Sequence, residues 1–451
     1  MPTMRSALPF VVLLAACEGV VSATIGEVRA GGVDAGGPTP GAGTVFVPDA
    51  GGVDAGEVRD AGQPPTADTG APDASAPVDA GSPPCGPLAS RVTTTVVPVG
   101  PASVDVGSSY GWSNNRPVHL APLASGGAKI AWSAGSSVHV TTVDAALARV
   151  GADLVIPADS VRGFVAHEDG AVALLVVRRQ AMVLVRVRGD GTTAFETQLV
   201  GDPPAMGAGA RWVDGWGHEG RLVFTGQHYV ALFGHTKDWG AMGRHQGDRL
   251  VSISLTGQIG GPHEWDWGCS HSLDVRLATS GGALAAVCLS DCYRSKGILL
   301  DSNTVLQAEP SGNCAGTSNA QLGGLTTLAG GGFGLVFASD EGRTSRDLGY
   351  VRLSPSLQPS PTVWLTTTPG AQESWPLLAR YGASSLLVAW REGAGQRVAL
   401  HDAAGALIDG PIDVPAGWAE RDDAQRWPSG DVGWVRGAGA QLEVTRVRAC
   451  E

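Results

Sequence analysis

The chain has 451 residues, 43% hydrophobic, 16% charged and 6% aromatic, with 65 glycines and 29 prolines, which is enough apolar sequence for a large core over most of its length. Its formal net charge is −12, with ten acids against two arginines between residues 17 and 84. No basic face is visible, so composition argues against a nucleic acid as partner.

Residues 1–16 read as an export signal. Arg5 supplies a positive n-region, and Ala7–Leu14 is apolar but far too short to span a bilayer as a mature helix. The segment ends in Leu14-Ala15-Ala16-Cys17, which resembles the bacterial lipobox. That resemblance implies cleavage before Cys17, acylation of its thiol and a lipid anchor in the membrane. Glu18, where the family's inner-membrane retention rule has Asp, implies the outer membrane or cell surface.

Residues 17–84 read as a lipid-anchored, disordered linker rich in Asp, Ala, Gly and Pro. The block GGVDAG occurs at Gly31–Gly36 and again at Gly51–Gly56, with few large apolar side chains around it. Such sequence cannot offset the entropy of ordering. A flexible coil of this length has an end-to-end distance of roughly 45 Å.

Residues 85–451 read as all-β. Apolar runs recur with ends near Trp132, Val177, Phe233, Cys288, Phe337, Trp390 and Trp434, a spacing of roughly 45 to 55 residues. Most follow a Gly turn, as Gly126-Gly127 precedes Ile130–Trp132 and Gly281-Gly282 precedes Leu284–Cys288. The clearest unit, Leu377–Ile412, divides into four short strands: Leu377–Tyr381, Leu386–Trp390, Arg397–Asp402 and Leu407–Ile412. A four-stranded meander cannot bury both faces alone. The repeat therefore resembles the β-propeller superfamily, and implies seven four-stranded antiparallel blades. The Gly-His…Trp-Asp signature, an intact Asp-box and Asp-rich calcium repeats are all missing, so the subfamily stays open; a tandem of β-sandwiches is the alternative array.

The last repeat has three strands, Ala424–Trp427, Val432–Val435 and Leu442–Arg448, and would expose an unpaired edge. Arg91–Val97 is an extra strand at the front. Pairing it antiparallel to Leu442–Arg448 completes blade seven and brings Cys85 beside Cys450, where a disulfide would lock the ring. Of the other cysteines, Cys269, Cys288, Cys292 and Cys314 fall in connections that share one face. In an oxidising compartment they are expected to form two disulfides. Cys269–Cys288 with Cys292–Cys314 crosses the fewest elements. The alternative is a four-thiolate zinc site, for which Cys288-x-x-x-Cys292 lacks a second close pair.

The same face collects the chemistry. His235, Asp238, Trp239, His245 and Asp248 fall in a long insertion of blade three; Trp265, Trp267, His271 and Asp274 lie in the connection to blade four, and Asp291 follows its second strand. Strand directions alternate within a blade, so all ten should meet on one face, where they either satisfy one another in a long ordered loop or form a ligand-binding site. Indoles flanked by acids suit a glycan or a protein, bound without catalysis by a monomer. The other reading is an exported polysaccharide hydrolase or lyase whose acid and base come from His235, His245, Asp248, Glu264, His271 and Asp274. No cofactor motif is present, while the imidazoles and carboxylates suit a divalent metal.

Overall fold

A computed structural model describes residues 86–105, 118–179, 181–200, 210–211, 220–238, 244–271, 274–314 and 318–450. The expected signal peptide, Cys17, the linker, Cys85 and Trp239 lie outside the described residues. The described residues form seven four-stranded antiparallel sheets. Their innermost strands are His119–Pro122, Ser160–Ala166, Gly220–Phe224, Asp274–Ser280, Gln321–Thr327, Glu373–Tyr381 and Gln425–Arg426. Each touches the next, and the last touches the first. The domain is a seven-bladed β-propeller.

The blades cohere because their second strands are apolar on both faces. In blade three, Tyr229, Ala231 and Phe233 pack toward blade two, while the alternating Val230 and Leu232 pack toward blade four. Each of seven buried apolar clusters fills one seam between neighbouring blades. Trp132, Trp390 and Trp434 are buried in three of these seams. The continuous apolar runs in the sequence are the consequence.

Blade six matches the expected unit closely, with strands Glu373–Tyr381, Ser385–Glu392, Gly395–His401 and Leu407–Asp413. Blade seven closes on the front strand, Val92–Pro98, which pairs antiparallel with Gln441–Val447 from Val92↔Val447 to Pro98↔Gln441. Beyond this pairing Arg448 N donates to Arg91 O at 3.0 Å. Cys450, just past the strand, is disulfide-bonded.

Blade three departs from the pattern. Its second and third strands, His228–Asp238 and Arg244–Ser254, are eleven residues each and pair along their whole length. The expected long loop is therefore mostly an extended hairpin. Both Ala210–Arg211 and Gly220–Phe224 lie along one edge of it. The other edge is covered by an interrupted strand, bridging at Ile253↔Ile259, Leu250↔Trp265 and Gly247↔Ser270.

One seam carries a pH dependence. Glu309, at the end of blade four, is fully buried and accepts a 2.6 Å hydrogen bond from Ser339 Oγ of blade five. Burial pushes its carboxyl up to about 7, and Glu341 and Asp340 add to the rise. A folded-state value above the unfolded 4.5 means that the folded chain holds this proton more tightly, so stability falls as pH rises from 4.5 through about 7. Glu309→Gln is expected to raise stability at pH 8 by on the order of 1–3 kcal/mol and to have little effect near pH 4.5. Urea melts at the two pH values measure it; an equal effect at both would contradict the burial.

Candidate functional site

The extended hairpin lifts blade three above the disc, and the connection to blade four folds back against it. Trp267 lies flat on the backbone of Gly247, where an added Cβ would stand 2.8 Å from the indole. His245 stacks on the same indole, with ring centroids 5.7 Å apart and planes at 29°. His271 meets His245 edge-on at 4.4 Å. Its Nδ1 is 2.5 Å from Oδ2 of the buried Asp291. His245, Trp267 and His271 are half-buried, and Tyr293, whose backbone O accepts from Ser270 N at 3.1 Å, is 56% exposed. They form a ledge of rings.

Disulfides hold this ledge. Cys269–Cys288 ties its base to the second strand of blade four, and Cys292–Cys314 ties the next loop down. These are the expected pairs, and they replace the zinc alternative. The Asp248 carboxylate and the sulfurs of Cys269 and Cys288 do lie within 4.8 Å of one another, but sulfurs bonded together are not thiolate ligands. Structural disulfides point to an oxidising, non-cytoplasmic compartment. Among the described residues no helix is long and apolar enough to cross a membrane.

Other expected site residues are turned inward. His235 is fully buried and donates from Nε2 to Asp266 O at 2.7 Å. Asp248 is fully buried and accepts from Trp265 Nε1 at 2.8 Å and from Cys269 N at 3.2 Å. Gly268 leaves room for it, since a Cβ there would stand 1.9 Å from Asp248 Oδ1. Asp274 is buried in an ion pair with Arg276. The backbone of Asp238 pairs with Arg244 at the tip of the hairpin. Trp265 is half-buried near blade three's edge, on the side away from the ledge. The structure thus gathers His245, Trp267, His271 and Asp291, and uses His235, Asp248 and Asp274 to support the fold.

Chemically the ledge offers two imidazoles close enough to share a divalent cation, with Asp291 orienting His271 from behind. Burial holds His245 below the usual imidazole value, and the neighbouring His271 adds to this while Asp291 opposes it. Among the described residues, Ser270, His271 and Asp291 do not form a Ser-His-Asp relay. Ser270 Oγ is 3.4 Å from the same His271 nitrogen that Asp291 holds, whereas the relay needs serine and carboxylate on opposite nitrogens.

At the ring axis stands a second group that sequence reasoning missed. Arg162, Arg221 and Arg276 rise from the inner strands of blades two, three and four, all buried. Asp423, from the connection into blade seven, reaches Arg221 Nε at 2.6 Å and Arg276 Nε at 3.0 Å. Arg221 also donates to Arg421 O at 2.5 Å. The space left beside Arg221, Asp422 and Asp423 is about 10 Å³, room for roughly one water. Charge pairs close the axis here. Aligning first strands instead of second ones would have shown an arginine recurring in three consecutive repeats.

No protein-family model and no curated protein matches this chain. Among solved structures it is similar to virginiamycin B lyase from Staphylococcus aureus, at 13% identity and a TM-score of 0.44 over 78% of this chain and 99% of that one. It is also similar to an alpha-L-arabinanase from Penicillium chrysogenum, at 12% identity and 0.45 over 79% and 98%. The Dos1 propeller is similar at 10% identity and 0.41 over 71% and 76%. Likenesses of this strength carry no statement about activity.

Proposed function

We propose that this chain is an exported, lipid-anchored propeller that acts as a non-enzymatic recognition domain for a protein or glycan, bound on the ledge over blades three and four. The observation that supports it is a half-exposed indole, two imidazoles and an exposed tyrosine held on one face by disulfides. Ring faces stack on the C–H face of a sugar while imidazole and hydroxyl groups satisfy its hydroxyls, which makes a glycan the better fit. A lipid on Cys17 and a tether over residues 17–84 would carry the ledge off an outer membrane or cell surface.

The pair of His271 and Asp291 favours one other reading, a lyase-type proton abstraction with His271 as base. Glycoside hydrolysis fits less well. It needs two available carboxylates, and Asp248, Asp274 and Asp291 are all buried in other bonds.

Gly247→Ala tests the ledge without removing any ligand-facing group. The new methyl displaces Trp267, and binding to an arrayed glycan should weaken about tenfold or more. Unchanged binding would remove Trp267 from the site. His271→Ala separates the readings: time-dependent product formation by the parent chain, lost in this variant, would favour the lyase.

A further inference from the structure

The face opposite the ledge carries a cleft of about 390 Å³, enclosed by turns of blades three, four and five. Its walls are apolar: Leu250, Pro262 and the Trp265 ring come from blade three's outer edge, Leu284 from blade four and Leu357 from blade five. Its titratable lining among the described residues is Glu264, Asp301 and His263, with no lysine or arginine. The bond from Trp265 Nε1 to buried Asp248 fixes the indole at the cleft wall.

Asp301 is the residue that decides the chemistry. It sits in the tight turn between the third and fourth strands of blade four, at a left-handed φ of 50°. Burial pushes its carboxyl above the usual range, and the Ala286 backbone and His263 oppose this only in part. No Lys or Arg among the described residues pairs with it. A partly desolvated carboxylate beside an indole and aliphatic walls is complementary to a cation that carries an apolar body.

We propose that this cleft binds an organic ammonium ion, with its nitrogen against Asp301 and its apolar body against Trp265 and Leu357. A free alkylamine and a lysine side chain of a partner protein present the same chemistry. This site is separate from the ledge and does not depend on what the ledge binds.

The test is calorimetric titration of the full chain with hexylammonium, with Nα-acetyl-lysine methylamide and with neutral 1-hexanol. At least one ammonium probe should bind saturably, about tenfold or more tighter than hexanol. Preference for hexylammonium assigns a free amine, and preference for the lysine derivative assigns a partner's side chain. Asp301→Asn keeps the shape, and Asn tolerates the left-handed backbone well, so it should weaken the ammonium probe about tenfold and leave hexanol unchanged. Ser356→Trp, filling the cleft from blade five, should abolish all three. Glu264→Gln, an exposed change, gives a second charge variant should Asp301→Asn lower stability. Equal affinity for hexylammonium and hexanol, ammonium binding unchanged in a folded Asp301→Asn variant, or no saturable binding below about 10 mM would overturn the proposal.

Discussion

Deletion of Gly86–Pro98 is expected to cost at least about 5 kcal/mol and to promote self-association. The deleted segment contributes the fully buried Leu88 to the seam of blades six and seven, and Val97 to the seam of blades seven and one. Each such side chain is worth about 1.5–3 kcal/mol. Arg91 adds an ion pair with Asp409 at 3.0 Å and donates to Tyr381 Oη at 2.9 Å. With the strand gone, Gln441–Val447 becomes an open edge ready to pair with another copy. Urea denaturation followed by size exclusion measures both effects; an unchanged midpoint with a monomeric elution would show that the ring does not need its closing strand.

Asp423→Asn is expected to lower stability by about 3 kcal/mol, which is large for a residue in a connection. The change keeps the shape and removes the charge that Arg221 and Arg276 share at the axis, so two buried guanidinium groups lose their common partner. Glu196→Gln is the contrast. It breaks an ion pair of equally good length, Arg178 Nη1 to Glu196 Oε2 at 2.7 Å, but the partners are 28% and 43% exposed, and the expected loss is under about 0.5 kcal/mol. A comparable effect of the two substitutions would mean that Asp423 is not structural.

The architecture was legible because each blade must be apolar on both faces. Runs such as Leu386–Trp390 therefore recur along the chain at similar spacings, and the missing fourth strand of the last repeat has only Arg91–Val97 to supply it. The pairs Cys269–Cys288 and Cys292–Cys314 were legible from order along the chain. The state of the polar residues was not. His235 and Asp248 looked like loop residues, but the hairpin extends through both, and their side chains turn into the structure, where a carbonyl, an indole and an amide satisfy them. Asp274 was placed with the ledge on chain position alone, and its partner Arg276 is two residues further along the inner strand. The cleft around Asp301 has no local signature, since its walls come from three turns distant in sequence.

Glycan-array binding of the full-length protein, parent against Trp267→Ala, tests the recognition reading most directly. Saturable binding by the parent chain is expected, about 30-fold or more weaker in the variant, with unchanged melting and no glycan product released over time. Equal binding by both proteins, or a glycan consumed by the parent chain, would contradict it.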